Sequence, residues 1–272
     1  MEPLILVTVG LTVGFLGSLM GIGGTIILVP FLLLLGYDVH ATIGTSLLVA
    51  LLVGLSCTFA YFRQKRVDWL IGFLSVLITM PMSSVGAYAT AFFSPFHLRI
   101  ALVVVLILVA AFMLIRSTPE VSGRNKCGTR GKEIGHKGKL YRKLVDSSGV
   151  VFKYTVDLRQ GLSLLFLAGF LSGLLGVTGG TMLIPIYSQV MGLPIHLSVA
   201  TSLFTVVFTA VSGSFVHLMI GNIMPLVALQ LTIGSLIGTQ LGASVAKRCR
   251  PRQLARGFGL FVLLLALLLL FF

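Results

Sequence analysis

Two stretches of the chain hold the residue types that could bind a small charged solute: GFLGSLMGIGGTIILVP at 14–30 and GFLSGLLGVTGGTMLIP at 169–185. Each carries a glycine cluster, a threonine and then a proline, inside sequence that is otherwise as apolar as a bilayer. Glycine permits the φ > 0 turns that interrupt a helix. A chain leaving such a break starts a new helix whose first N–H groups are unpaired and whose dipole is positive at that end. Two such ends would bind an anion without a buried lysine or arginine. The candidates are Gly21, Gly23, Gly24 and Thr25 in the first stretch, and Gly176, Thr178, Gly179, Gly180 and Thr181 in the second. Tight helix packing is the competing use of such glycines. Gly17-xxx-Gly21, Gly169-xxx-Gly173 and the ladder Gly234, Gly238, Gly242 all have its spacing, and for the ladder packing is the reading. Pro30 fits either the first helical position or a kink.

Hydroxyls and histidines are the other polar groups within apolar sequence. Thr45-Ser46 and Thr201-Ser202 occupy matching places in their segments and could hydrogen-bond a substrate oxygen, or bond back to their own helix carbonyls. His217 ends an apolar run near the interface and is a candidate for proton coupling, or an interfacial residue with no role. All seven acids lie outside the apolar runs or at their ends. Cation carriers and carboxylate proton relays place an acid within the membrane, so the pattern favours an anionic or neutral substrate. The three cysteines have no paired or metal-ligand spacing. No nucleotide loop, zinc motif or nucleophile signature is present, so neither cofactor nor metal is expected, nor an enzyme.

What would position these residues is a set of membrane helices. The chain is 57% hydrophobic with a mean hydropathy of +1.07, more apolar surface than a soluble domain of this length can hide. Apolar runs cover 4–35, 42–62, 69–93, 100–115, 161–190, 197–217, 225–246 and 257–272. Met1-Glu2-Pro3 has no basic n-region, so the first run is expected to be retained. The net charge of +13 comes from basic residues between runs, which orient a membrane protein rather than bind nucleic acid.

The chain also repeats itself. At an offset of 155, eight of the seventeen positions in the two glycine-rich stretches are identical; at 156, HATIGTSL (40–47) meets HLSVATSL (196–203). Such ordered agreement marks an internal duplication. If 4–35 and 161–190 each enter and return, the lysines and arginines divide 19 to 1 between the two sides, the asymmetry the positive-inside rule asks for. Three full crossings per half would then make the halves inverted. The length of 4–35 suits two half-helices meeting near the midplane; a single tilted, broken helix is the alternative. Within the basic insert 116–160, residues 139–157 read as a hairpin around Asp146-Ser147-Ser148-Gly149; contact with anionic lipid headgroups is the modest reading of the insert, a regulatory or partner-binding role the alternative. Trp69 reads as an interfacial anchor.

The duplicated pair of motifs resembles the sulfite exporter TauE/SafE family of membrane transporters, over nearly the whole chain outside 116–160. The fold class expected is all-α: a polytopic helical membrane protein of two inverted repeats, 1–115 and 161–272, around a cytoplasmic insert at 116–160. Each repeat has a broken or re-entrant first helix and three spanning helices. The resemblance implies transport of small sulfur-containing anions such as sulfite, sulfoacetate or other organosulfonates. The site would be the two glycine clusters, in the cytoplasmic (inner) membrane of a cell. Thr178, where the first copy has Gly23, departs from the pattern, as does the insert. Both termini are expected outside, with a monomer or homodimer equally open. A channel-like pore, or a proton-coupled importer of another small anion, is the alternative.

Overall fold

In this computed structural model the described residues are 3–20, 24–63, 65–115, 139–145, 151–177, 180–246 and 251–271. They form ten α-helices and one β-hairpin: α1 (Pro3–Met20), α2 (Thr25–Leu34), α3 (Val39–Arg63), α4 (Trp69–Ala89), α5 (Pro95–Ile115), β1 (Lys139–Val145), β2 (Val151–Asp157), α6 (Leu158–Leu175), α7 (Gly180–Pro185), α8 (Ile195–Ile220), α9 (Pro225–Ala246) and α10 (Pro251–Phe271). Among the described residues, four helices are long and apolar enough to cross a membrane: Val39–Phe59, Trp69–Phe92, Ile195–Ile220 and Pro225–Gly242; five shorter apolar helices accompany them. The apolar runs thus become helices, as the sequence leads one to expect.

Local sequence sets the helix ends. α1, α5, α9 and α10 each begin on proline, which fits the first turn because its missing N–H would be unpaired there anyway. Asp68 caps α4, its carboxylate accepting from the Leu70 and Ile71 amides at 3.1 and 3.3 Å. Pro30 lies inside α2 rather than opening it. Pro185 ends α7, and the helix continues as one π-turn, Ile186–Val190, a wider i→i+5 winding.

The internal repeat is present in the helices themselves. α1 and α6 are offset by 155 residues at both ends, and α5 and α10 by 156. Packing is reciprocal: α1 lies on α9 as α6 lies on α4, while α3 meets α8 and α5 meets α10. The glycine ladder is a packing surface. A Cβ at Gly234, Gly238 or Gly242 would run into the Val7, Leu11 or Phe15 carbonyl of α1. Gly169 and Gly173 of α6 meet Thr79 and Ser83 of α4 in the same way. Such close backbone approach needs a residue without a side chain.

These contacts fix directions. Residues 7, 11 and 15 of α1 meet 234, 238 and 242 of α9 in ascending order, so the two are parallel. α3 runs the opposite way to its counterpart α8: Gly44 faces His217, Leu47 faces Gly213 and Gly54 faces Val207. Thr45, in the second turn of α3, meets Met224, the residue just before α9. The starts of α1 and α3 therefore lie towards the same end of α9, and α1 with α2 goes out and comes back.

The hairpin pairs Lys139 with Asp157 through to Val145 with Val151; its turn, 146–150, lies outside the described residues. Arg142 and Tyr154, opposite one another in the register, both reach Asp68. Arg142 approaches through Nη2 at 2.7 Å and Nε at 3.3 Å, and the Tyr154 hydroxyl donates to the same carboxylate. Asp68 is completely buried, though the sequence placed it at the edge of an apolar run. Burial, then the Asp68 carboxylate, holds the Tyr154 hydroxyl well above its usual value. Hydrogen bonding to Asp68 raises the Arg142 guanidinium further still.

Candidate functional site

The two breaks are built by left-handed glycines. Gly24 (φ 72°) caps α2, and a Cβ there would come within 2.7 Å of the Val13 carbonyl. α2 thus begins beside Val13, seven residues before the end of α1, and its Thr25 is buried. Gly176 (φ 68°) ends α6, its carbonyl accepting from Ser46 Oγ at 3.0 Å. Gly180 and Thr181, both buried, open α7. Gly21, Gly23, Thr178 and Gly179 lie outside the described residues. The lengths differ from two equal half-helices. α1 and α6 have 18 residues each, about 27 Å; only α2, with 10 residues, has half-helix length. The outward arm has no helix breaker before the glycine cluster, so it continues until that cluster stops it.

Around the second break lie buried polar atoms with no partner among the described residues: Thr42 Oγ1, Ser172 Oγ, Thr181 Oγ1 and His217 Nδ1. Ser172 and Thr181 flank the break in sequence. His217 is tied to it through Nε2, 3.2 Å from the Gly173 carbonyl. Thr42 stands one turn before Ser46, on the same face of α3, and Ser46 Oγ holds Gly176. A buried polar atom left unpaired costs about 1–3 kcal/mol, so the three hydroxyls set donors in want of an acceptor around one break. His217 is fully buried rather than interfacial: it faces inward beside Gly44 although it sits in the last turn of α8. A carbonyl accepts only, so Nε2 carries the hydrogen and Nδ1 is the bare nitrogen.

Thr45 and Thr201 have a different occupation. Thr45 Oγ1 accepts from the Met224 amide at 3.1 Å, and Thr201 Oγ1 accepts from the Asp68 amide at 3.1 Å. Met224 and Asp68 are themselves equivalent at the offset of 156. Each repeat thus uses one threonine to fix the start of the other's fourth helix. Thr45 also donates back to Ala41 at 2.6 Å, and Ser202 to Val199 at 2.9 Å, the local bonding that competes with ligand binding.

A polar seam escaped the sequence reading. Tyr187 meets Thr205 at 2.9 Å, Thr209 donates to Thr79 at 3.0 Å, Ser83 donates to the Thr209 carbonyl at 3.0 Å, and Ser84 meets Ser212. The equivalent positions of the other half hold Leu32, Val49 and Val53 in place of Tyr187, Thr205 and Thr209, all buried. The available signal was that difference between copies, visible only once the offset was carried through α8. Among the residues whose side chains are described no lysine or arginine is buried, and among the described residues no group of His, Cys, Asp and Glu could hold a metal ion.

Comparison with known proteins agrees with this architecture. The family model described as sulfite exporter TauE/SafE matches residues 6–269. The chain is 32% identical over 262 residues to the probable membrane transporter protein YunE of Bacillus subtilis, covering 93% of this chain and 92% of that protein. It is 24% identical to the probable membrane transporter protein YjnA of the same organism, covering 92% of each. It is also 24% identical to the probable membrane transporter protein MJ0441 of Methanocaldococcus jannaschii, covering 92% of this chain and 88% of that one. No solved structure matches the chain significantly.

Proposed function

The chain belongs to the sulfite exporter TauE/SafE family, as a multi-pass membrane transporter and not an enzyme, and on that premise we propose that it exports small sulfur-containing anions such as sulfite, sulfoacetate or other organosulfonates. The anion would sit at the glycine breaks, received by the first amides of α2 and α7 and by Thr25 and Thr181. Helix starts bind anions without a cationic side chain, which suits an interior where no lysine or arginine is buried among the residues whose side chains are described. Export needs no coupling ion: an anion leaving a cell that is negative inside gains about 2.3 kcal/mol per charge per 100 mV.

The antiparallel run of α3 and α8, equivalent helices of the two repeats, supports an inverted pair. The shared end of α1 and α3 supports a first element that enters and returns. With the hairpin on the cytoplasmic side of an inner membrane, both termini face outward and the basic residues divide 19 to 1, as the positive-inside rule favours.

The observation that carries this reading is the set of three unpartnered hydroxyls at the second break, on Thr42, Ser172 and Thr181. Thr181 is the direct test. Thr181→Val keeps the shape and removes the hydroxyl, and a hydrogen bond to a charged group is worth about 1.5–3 kcal/mol. Isothermal titration of the purified full chain against sulfite, sulfoacetate, sulfate and acetate is expected to show saturable binding of the sulfur anions. Thr181→Val should weaken it at least ~10-fold, and Thr181→Ser should keep it. Unchanged affinity in Thr181→Val would remove this threonine from the site; failure of every sulfur anion to bind would remove the substrate class.

A further inference from the structure

Two cavities open on either side of Trp69, the single tryptophan of the chain. One, of about 480 Å3, is walled by Phe62, Val67, Trp69 and Leu144, and Lys65 is its one charged residue. The other, of about 590 Å3, runs along Leu70, Phe73 and Leu77 of α4, and Arg142 is its one charged residue. Both sit where α4 starts and the hairpin meets it, outside the breaks described above.

Their chemistry is that of an amphiphile with a negative head. Leu70, Phe73 and Leu77 are 43, 56 and 73% exposed and fall at i, i+3 and i+7, one stripe of a membrane-length helix. Such a stripe takes an acyl chain. At its head end stand two cations. Arg142 gives Nε and Nη2 to Asp68 on its buried side. Its guanidinium carries five N–H donors, and 31% of the side chain is exposed. Lys65 is exposed and makes no ion pair among the described residues; it is held by a turn with φ 53°, the one positive φ at a described non-glycine residue. Holding lysine in that conformation costs free energy, and here it leaves the ammonium beside an apolar cavity. Trp69 lies between the two cations, edge-on to Phe62 and Phe204 and stacked on Phe73, as an aromatic at headgroup depth does.

We propose that this groove is a binding site for an anionic phospholipid, its phosphate drawn to Lys65 and Arg142 and one acyl chain lying along Leu70, Phe73 and Leu77. The site is independent of the transported anion, and it is read without measuring transport.

Because Trp69 is the only tryptophan, its fluorescence reports the groove alone. The full chain is reconstituted in phosphatidylcholine vesicles with increasing fractions of phosphatidylglycerol brominated on its acyl chains, and separately with brominated phosphatidylcholine. Brominated phosphatidylglycerol is expected to quench Trp69 at about one fifth the mole fraction or less, the preference one basic side chain confers at an anionic surface. Lys65→Gln should lower that preference about fivefold, while Lys65→Arg should keep it. Lys65 is exposed, so neither variant threatens folding. Equal quenching by the two lipids would overturn the proposal, as would an undiminished preference in Lys65→Gln.

Discussion

Arg142→Gln is the sharpest perturbation of the contact between insert and membrane helices. In the native chain the fully buried Asp68 carboxylate accepts from two α4 amides, from Arg142 and from Tyr154. Removing the guanidinium leaves a buried anion without its countercharge, which costs about 3–5 kcal/mol in such pairs. Arg142 itself is about one third exposed, so the lower end of that range applies. At 1.4 kcal/mol per decade, ~3 kcal/mol is about a hundredfold in the opening equilibrium. The assay is amide hydrogen exchange on the full chain, followed in peptides from 139–145 and 151–157. Protection there should fall about a hundredfold in Arg142→Gln and about tenfold in Tyr154→Phe, which loses one charge-assisted hydrogen bond. Adding Asp68→Asn to Arg142→Gln removes the stranded charge and should restore more than half of the loss on the logarithmic scale. The Tyr154 hydroxyl is held above its usual value of 10 by burial and then by Asp68. It therefore keeps the proton it donates, and its share of the protection persists below pH 10 and is lost only at higher pH. Protection within twofold of wild type in both single variants would refute this account of the hairpin's anchorage.

Two further outcomes follow from the helix packing. Gly238→Ala puts a methyl against the Leu11 carbonyl and 2.8 Å from the Phe15 amide, a clash with backbone that should cost about 3 kcal/mol. Gly257→Ala in α10 meets nothing within 4 Å and should be neutral or stabilising by up to about 1 kcal/mol. Thermal unfolding in detergent separates the two, and equal effects would undo the ladder's role. In a chain freed of its natural cysteines, single cysteines at Leu4 and Asp38 should react with an impermeant maleimide from the same side of the membrane. Reaction from opposite sides would break the out-and-back path of α1 and α2.

Element type and order were legible because the apolar runs are long and the copies agree. The offset that aligns GFLGSLMGIGGTIILVP with its twin also aligns whole helices, down to the paired ends of α1 and α6. Gly234, Gly238 and Gly242 were recognisable as packing because four-residue spacing returns to one helix face. Depth and partnership were not legible. His217 looked interfacial from its place at the end of a run, yet helical phase turns it inward to Gly173. Thr45 and Thr201 read either as ligand groups or as hydroxyls bonded back to their own helix, and their matching positions are what lets each also bind the other repeat's backbone. Asp68 was placed only at the edge of an apolar run; its partners, Arg142 and Tyr154, are more than seventy positions away, and no local pattern announces so distant a pairing. The polar seam from Tyr187 to Ser212 was hidden because scattered serines and threonines in a helix carry no signal until two helices bring them face to face.

The crossed threonine bonds tie the two fourth helices alike, yet the ties are not equally guarded. Where Met224 meets Thr45, the tie is one amide given to one hydroxyl. Where Asp68 meets Thr201, the residue whose amide makes the tie also holds, through its buried carboxylate, an arginine and a tyrosine of the hairpin. Of two matching ties, the one at Asp68 thus also carries the insert, a segment with no counterpart in the duplicated plan.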